Sequence, residues 1–286
     1  MRKGLSMRTK HYLEGYSFIG IWIIGFFLFM AIPLGRSLYY AFQQLKITNA
    51  GLEPTFVGLD HFKRAFTLDV QYPPFLMSTV GSMLIEVPLI LIFAMFSAVL
   101  LNRHFAGRAL FRGIFFLPVI IASGAVLDKL RDTGAETLPI FTRYNLFFVL
   151  NELIPGDILL PILRTLDSLT LVMWDSGVQI LIFLAGLQSI SVHLYEAAKC
   201  DGATPWESFW KITFPMMVPM IFVSLLFSIV NSFTKADNDI MTYIRSVFGS
   251  SEYGYASALG WIYFIVIFII IGIVFLGFRK NLAQRG

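Results

Sequence analysis

Residues 256–278 read ASALGWIYFIVIFIIIGIVFLGF, twenty-three positions without one charged side chain. At about 1.5 Å of rise per residue a helix of this length reaches ~34 Å, and the hydrocarbon core of a bilayer is about 30 Å thick. Inside lipid only a helix or a closed barrel satisfies every backbone polar group. The strict alternation a barrel strand needs is absent here and elsewhere in the chain. Working outward, five more runs approach the required length: Tyr16–Leu34, Phe75–Leu101, Phe111–Leu127, Leu169–Ile190 and Phe214–Ser232. The third is short and the second long, which predicts tilt. The expected fold class is therefore all-α, a polytopic membrane helix bundle with six transmembrane helices over residues 16–280, between tails at 1–15 and 281–286.

Composition agrees. Of 286 residues, 57% are hydrophobic and 14% charged, with a mean hydropathy of +0.73. Water-soluble globular chains carry about 25% charge. Disorder is excluded, and nucleic acid is not an expected partner despite a pI near 9.1, because the net charge is only +4. The single cysteine, Cys200, rules out an internal disulfide and a cysteine-based metal cluster. The first run has a basic lead (Arg2, Lys3, Arg8, Lys10), but it is too long for a signal-peptide core and no small-residue cleavage site follows, so it reads as an uncleaved span.

Six spans put both termini on one side. The segments there, 1–15, 102–113, 191–213 and 279–286, hold 12 of the 22 Lys and Arg in about half the length of the opposite segments. Basic density marks the cytoplasmic face. The expected place is a cell (inner) membrane, with N- and C-termini cytoplasmic.

Enzyme signatures are missing. No phosphate-binding G-x-x-x-x-G-K-[ST] loop and no H-E-x-x-H occurs. His11, His61, His104 and His193 all fall outside the six runs, and Ser123–Gly124 reads as helix packing. No catalytic residue, metal ligand or cofactor of this chain's own is expected.

The loop at 191–213 carries the most information. Residues 193–200 are helix formers, with Ala197 and Ala198 keeping one face small, and Gly202 is a helix stop. Thr204-Pro205-Trp206-Glu207 is a capping box with proline at the first helical position. A second helix should run from there into the fifth span, strained at Pro215 and Pro219. Such a loop suits a helix that seats in a partner's groove, and equally an amphipathic connector on the membrane surface.

Glu196-Ala197-Ala198, Asp201-Gly202-Ala203, Phe209, Ile212, Pro215 and Pro219 resemble the EAA loop of the inner-membrane permeases of binding-protein-dependent ABC importers. Further stretches are similar to the carbohydrate-type (MalF/UgpA-like) branch: Phe56–Phe62, Gly107–Arg112, Phe115–Pro118, Leu184–Ile190 with Leu194-Tyr195-Glu196, and Gly254–Ala258. Ser191, Cys200 and Phe214 depart from that branch's usual residues, and 131–168 departs most. The resemblance implies that Tyr195, Glu196, Ala197, Ala198, Asp201, Gly202 and Ala203 couple the chain to an ATPase, with Glu196 pairing a basic residue there. It also implies a second permease subunit forming a heterodimer, two ATPase subunits holding ATP and Mg, and an extracellular or periplasmic solute-binding protein.

Charged and polar residues inside spans are costly and mark pathways or packing. Glu86 lies in the second span, and Trp174, Asp175 and Gln179 in the fourth. Ser224, Ser228, Asn231 and Ser232 form one stripe of the fifth. These are the candidates for a sugar or oligosaccharide pathway, and the serine stripe reads equally as helix packing. Two other functions remain in view: a self-sufficient ion-coupled transporter or channel using Glu86 and Asp175, and a membrane scaffold without flux. Against the former, no internal inverted repeat is visible.

Overall fold

In the computed structural model the described residues are 7–48, 51–103, 106–107, 109–110, 113, 172–235 and 238–283. The expected third span, Phe111–Leu127, and the stretch 128–168 lie outside them, as does most of the motif at 107–118. In chain order the elements are α1 (Met7–Phe26), a π-helical turn (Phe27–Ala31), α2 (Ile32–Ala41), β1 (Gln43–Thr48), β2 (Gly51–Phe56), α3 (Asp60–Thr67) and α4 (Tyr72–Asn102). Then follow α5 (Gly177–Ser189), α6 (Val192–Cys200), α7 (Pro205–Ser208), a second π turn (Phe209–Thr213), α8 (Phe214–Thr234), α9 (Asp239–Gly249) and α10 (Tyr253–Ala283).

Among the described residues four helical stretches are long and apolar enough to cross a membrane: Gly15–Ala41, Tyr72–Asn102, Pro205–Thr234 and Tyr253–Arg279. A fifth is reached if α5 and α6, bent by 64° at their junction, count as one broken span. The helical fold matches the expected class. The helix that carries the first span begins at Met7, inside the expected tail, and the helix that carries the last continues to Ala283.

Both π turns end two residues before a proline, Pro33 and Pro215. A proline ring inside a helix collides with the carbonyl four residues back and offers that carbonyl no N–H. Widening the preceding turn by one residue relieves the collision, and such a bulge is a recognised source of helix bending. Pro88 and Pro219 are accommodated inside α4 and α8 without one.

The contacts divide the chain into two compact units, 1–79 with 234–269, and 80–233 with 270–286. In the first, β1 and β2 pair antiparallel from Gln43 opposite Phe56 to Thr48 opposite Gly51. This ribbon, absent from the sequence expectation, is joined to α3 and α10 by buried contacts. His61 Nε2 lies 3.1 Å from the Gln43 carbonyl oxygen. A Cβ on Gly254 would overlap that same carbonyl, so only glycine lets α10 pass there.

Asp69, between α3 and α4, ties this unit together. Its Oδ1 accepts the backbone N–H groups of Gln71 and Tyr72, each at 2.9 Å, at the start of α4. Its Oδ2 accepts the hydroxyls of Tyr243 from α9 (2.6 Å) and Tyr255 from α10 (2.5 Å). Burial alone would raise the Asp69 pKa. The two tyrosine hydroxyls and two backbone N–H groups overcome that and hold it below the usual carboxylate range. Tyr243 is pushed up to about 12, by burial first and then by its bond to Asp69. Arg64 stacks 4.0 Å over the Tyr255 ring and pairs with Glu252 at 2.7 Å. Lower down, Thr79 donates to Asn238 Oδ1, and Asn238 Nδ2 donates to Tyr263.

In the second unit α4 buries Val87, Ile90, Ala94, Ser97, Ala98 and Leu101, a helical stripe on a helix apolar all round. Its small members Ala94 and Ala98 pack with Ile180, Phe183, Leu184 and Leu187 of α5 and Met217 of α8. At Gly186 α5 lies close against α8: a Cβ there would lie 2.6 Å from Met220 Cγ. Small residues at the seam are the usual means of close helix packing in lipid.

Candidate functional site

The first candidate region is the loop 191–213. Ile190 and Ser191 are extended, which breaks the helix between α5 and α6. The stop at the far end of α6 has two bonds. Gly202, at φ +79°, donates its N–H to the Lys199 carbonyl, and Ala203 donates to the Ala198 carbonyl. This closure satisfies carbonyls that a helix end otherwise leaves bare, and its left-handed residue favours glycine. The Thr204–Glu207 capping box is complete: the Glu207 N–H donates to Thr204 Oγ1 at 3.2 Å and the Thr204 N–H donates to Glu207 at 2.9 Å.

Between these fixed ends α6 has two faces. Tyr195 and Ala198 are half-buried towards the helices, and the Tyr195 hydroxyl bonds Thr213 Oγ1 at 2.9 Å. Glu196, Ala197, Cys200, Asp201 and Gly202 are exposed, and Ala203 is half-buried. Glu196 holds His193 at 3.0 Å on the surface. The outward face of α6 thus carries Ala197 and Cys200 beside the Glu196 carboxylate and its partner His193, while one hydrogen bond fastens its inward face to the π turn that opens the fifth span. Thr213 was not legible as a functional residue, since nothing in its spacing announces a tyrosine eighteen positions away.

Behind α6 lies a cavity of about 450 Å³. Leu187 and Thr213 are its buried floor, and Arg103 and Lys199 stand exposed at its rim.

The second region gathers the fourth- and fifth-span candidates. Gln179, Ser224 and Ser228 are fully or almost fully buried, Ser232 is buried, and Asn231 is half-buried. The fourth span breaks at Ser176, whose carbonyl accepts the Ile180 N–H that opens α5. The Gln179 amide nitrogen faces the carbonyls of Asp175 (2.9 Å) and Ser176 (3.2 Å), and its oxygen accepts from Ser228 Oγ (2.8 Å). Ser228 Oγ also lies 2.8 Å from the Ser224 carbonyl. Asp175 is half-buried in the helical turn 172–175, with Trp174 more exposed beside it. Glu86 is half-buried on α4. The structure therefore joins Gln179 and Ser228 as a polar clasp between the two spans, which favours packing over solute contact for that pair. The buried Ser224 Oγ has no hydrogen-bond partner among the described residues. No cluster of three His, Cys, Asp or Glu suited to a metal occurs among the described residues.

Several apolar spans, a sharply bent helical joint and a capped surface helix define a multi-pass membrane protein. Residues 74–285 match the family described as "Binding-protein-dependent transport system inner membrane component", and the chain belongs to that family. It is 36% identical to "Probable ABC transporter permease protein YesP" of Bacillus subtilis (strain 168), covering 96% of this chain and 93% of that protein. It is 25% identical, over 91% of this chain and 92% of the other, to "Multiple sugar-binding transport system permease protein MsmF" of Streptococcus mutans. Its fold is similar to a chain of a bacterial alginate ABC transporter crystallised with an alginate pentasaccharide-bound periplasmic protein, at a TM-score of 0.63, 22% identity and coverage of 95% and 96%. The protein is accordingly an ABC importer permease subunit and works with a binding protein. It is not an enzyme, and ATP is hydrolysed on a separate subunit.

Proposed function

We propose that this chain forms one half of the membrane pore of a carbohydrate importer, accepting a sugar or oligosaccharide from the extracellular binding protein. The printed names of its relatives support that substrate class: besides the multiple-sugar permease, they include an arabinooligosaccharide permease of Halalkalibacterium halodurans, 26% identical. The proposed assembly is a heterodimer with a second permease subunit and two ATPase subunits that carry ATP and Mg. The loop 191–213 and both termini face the cytoplasm. There α6 seats in a cleft of one ATPase, with Glu196 meeting a basic residue, Ala197 letting the surfaces approach, Ala198 keeping the inward face of α6 close to its own helices, and the Asp201-Gly202-Ala203 closure setting the angle of the following chain. Nucleotide-driven closure of the ATPases moves α6, and the Tyr195–Thr213 bond passes that motion to the fifth span.

The observation that carries this reading is the two-faced α6: exposed outside, with Glu196 and Ala197 on its surface, and tied inside through Tyr195 to the helix that opens the fifth span. For the pathway itself, Trp174, Asp175, Ser224, Asn231 and Ser232 remain the proposed solute-facing residues, with Glu86 a more distant candidate. The test uses the transporter reconstituted with its ATPases and binding protein in liposomes. Glu196→Lys and Gly202→Pro are expected to abolish sugar uptake and substrate-stimulated ATP hydrolysis while the chain remains in the membrane. Unchanged uptake in both variants would overturn the coupling assignment.

A further inference from the structure

The cavity behind α6 has a chemistry that the transport reading leaves unused. Arg103, at the end of α4, and Lys199, on α6, both stand at its rim. Among the described residues neither forms an ion pair, and no Asp or Glu lines the cavity. Asn102 and Ser208 add uncharged hydrogen-bonding groups to the wall. Two unneutralised cations converging on one recess, with amide and hydroxyl groups beside them, fit a phosphate. Arginine offers a planar fork to two phosphate oxygens and lysine a mobile point charge. A volume of about 450 Å³ is in the range of small-ligand sites.

A second observation sets the depth. Pro205 and Phe209 line the cavity, and on the same helical segment Trp206 and Trp210 are exposed, 69% and 46%, with their rings 5.6 Å apart edge to face. Exposed tryptophans beside a span collect at the headgroup level of a bilayer, and basic pockets between spans at that level hold anionic headgroups.

We propose that this cavity binds a phosphate-bearing anion, supplied by an anionic phospholipid headgroup or by a soluble phosphorylated sugar. The bound phosphate bridges Arg103 on α4 to Lys199 on α6, and so restrains the same helix that carries Glu196. The inference rests on the proposed function only for the compartment that supplies the ligand. Binding is measured apart from transport, so the two fail separately.

The test uses the assembled transporter in nanodiscs. One arm compares discs of phosphatidylcholine with discs containing phosphatidylglycerol and counts co-purifying phosphatidylglycerol by native mass spectrometry. The other adds glucose 6-phosphate to phosphatidylcholine discs and reads binding calorimetrically. Wild type is expected to hold one of the two probes, and Arg103→Gln/Lys199→Gln to weaken that binding by about tenfold or more. Retention of phosphatidylglycerol assigns the lipid source, and glucose 6-phosphate binding assigns the soluble one. Arg103→Lys/Lys199→Arg keeps both charges and is expected to retain most of the binding. The proposal is overturned if neither probe separates wild type from the neutral variant, or if the charge-keeping variant loses as much as the neutral one.

Discussion

Gln179 is completely buried, and its amide is fully engaged by the carbonyls of Asp175 and Ser176 and the hydroxyl of Ser228. In lipid such a bond is worth about 0.6 kcal/mol on average and up to about 1.7. A double-mutant cycle of Gln179→Ala and Ser228→Ala, read by thermal unfolding in detergent, is expected to show coupling in that range, with the affinity for the binding protein unchanged. Purely additive effects would count against the clasp. The sequence marks Gln179 and Ser228 as polar residues in apolar runs, but it cannot show that they face each other, because forty-nine residues separate them. Asp69 was invisible for a related reason: its two tyrosines lie 174 and 186 positions away. Its four accepted bonds predict that Asp69→Ala, which leaves two tyrosine hydroxyls unpaired, lowers stability by about 2–3 kcal/mol at neutral pH. The folded-state pKa of Asp69 is depressed. Its contribution is therefore present above the unfolded value near 4 and fades as pH falls through the folded one. Melting curves of wild type and variant should converge only below about pH 4. A constant gap across that range would show that the carboxylate charge is not what matters.

At the scale of elements, the spans that fall within the described residues, the loop helix, the Gly202 stop and the Thr204 capping box were all readable. Each rests on a local rule: hydrophobic length, glycine in the left-handed region, or a side chain reaching three residues along. The β1–β2 ribbon and α9 were not readable. Gln43–Phe56 carries lysine, proline and two glutamines in short strands with no clean alternation, and its pairing depends on packing against α3 and α10. The packing of this ribbon makes a sharp prediction at Gly254. Alanine there must displace the Gln43 backbone, so Gly254→Ala is expected to cost at least about 1–3 kcal/mol and to loosen the ribbon. Hydrogen exchange of 43–56 checks it, and unaltered protection would refute the close approach. Gly186 is the milder case, since the atoms it would meet belong to the flexible Met217 and Met220. Gly186→Ala should therefore be tolerated better than Gly186→Val, as measured by melting temperature.

For the whole molecule, the family and the multi-pass fold could be read from the sequence because hydropathy and the EAA-like spacing are both one-dimensional signals. Orientation was read from charge density, and it has a direct check. Cys200 is the chain's one cysteine and is exposed at the end of α6. In cells that make this chain without its ATPases, so that α6 is uncovered, a membrane-impermeant maleimide should label it in inside-out vesicles and leave it unlabelled in intact spheroplasts; the reverse pattern would invert the proposed topology. The knee between α5 and α6 has a mechanical corollary. At 64° it behaves as a bell crank: a thrust delivered along the nine-residue short arm, about 13 Å long, resolves with a factor of about 0.9 across the axis of α5 and only about 0.4 along it. Under the coupling proposed above, force entering there would splay the fourth span sideways instead of driving it like a piston, and the throat of the pore would widen by shear while the span's depth in the bilayer scarcely altered.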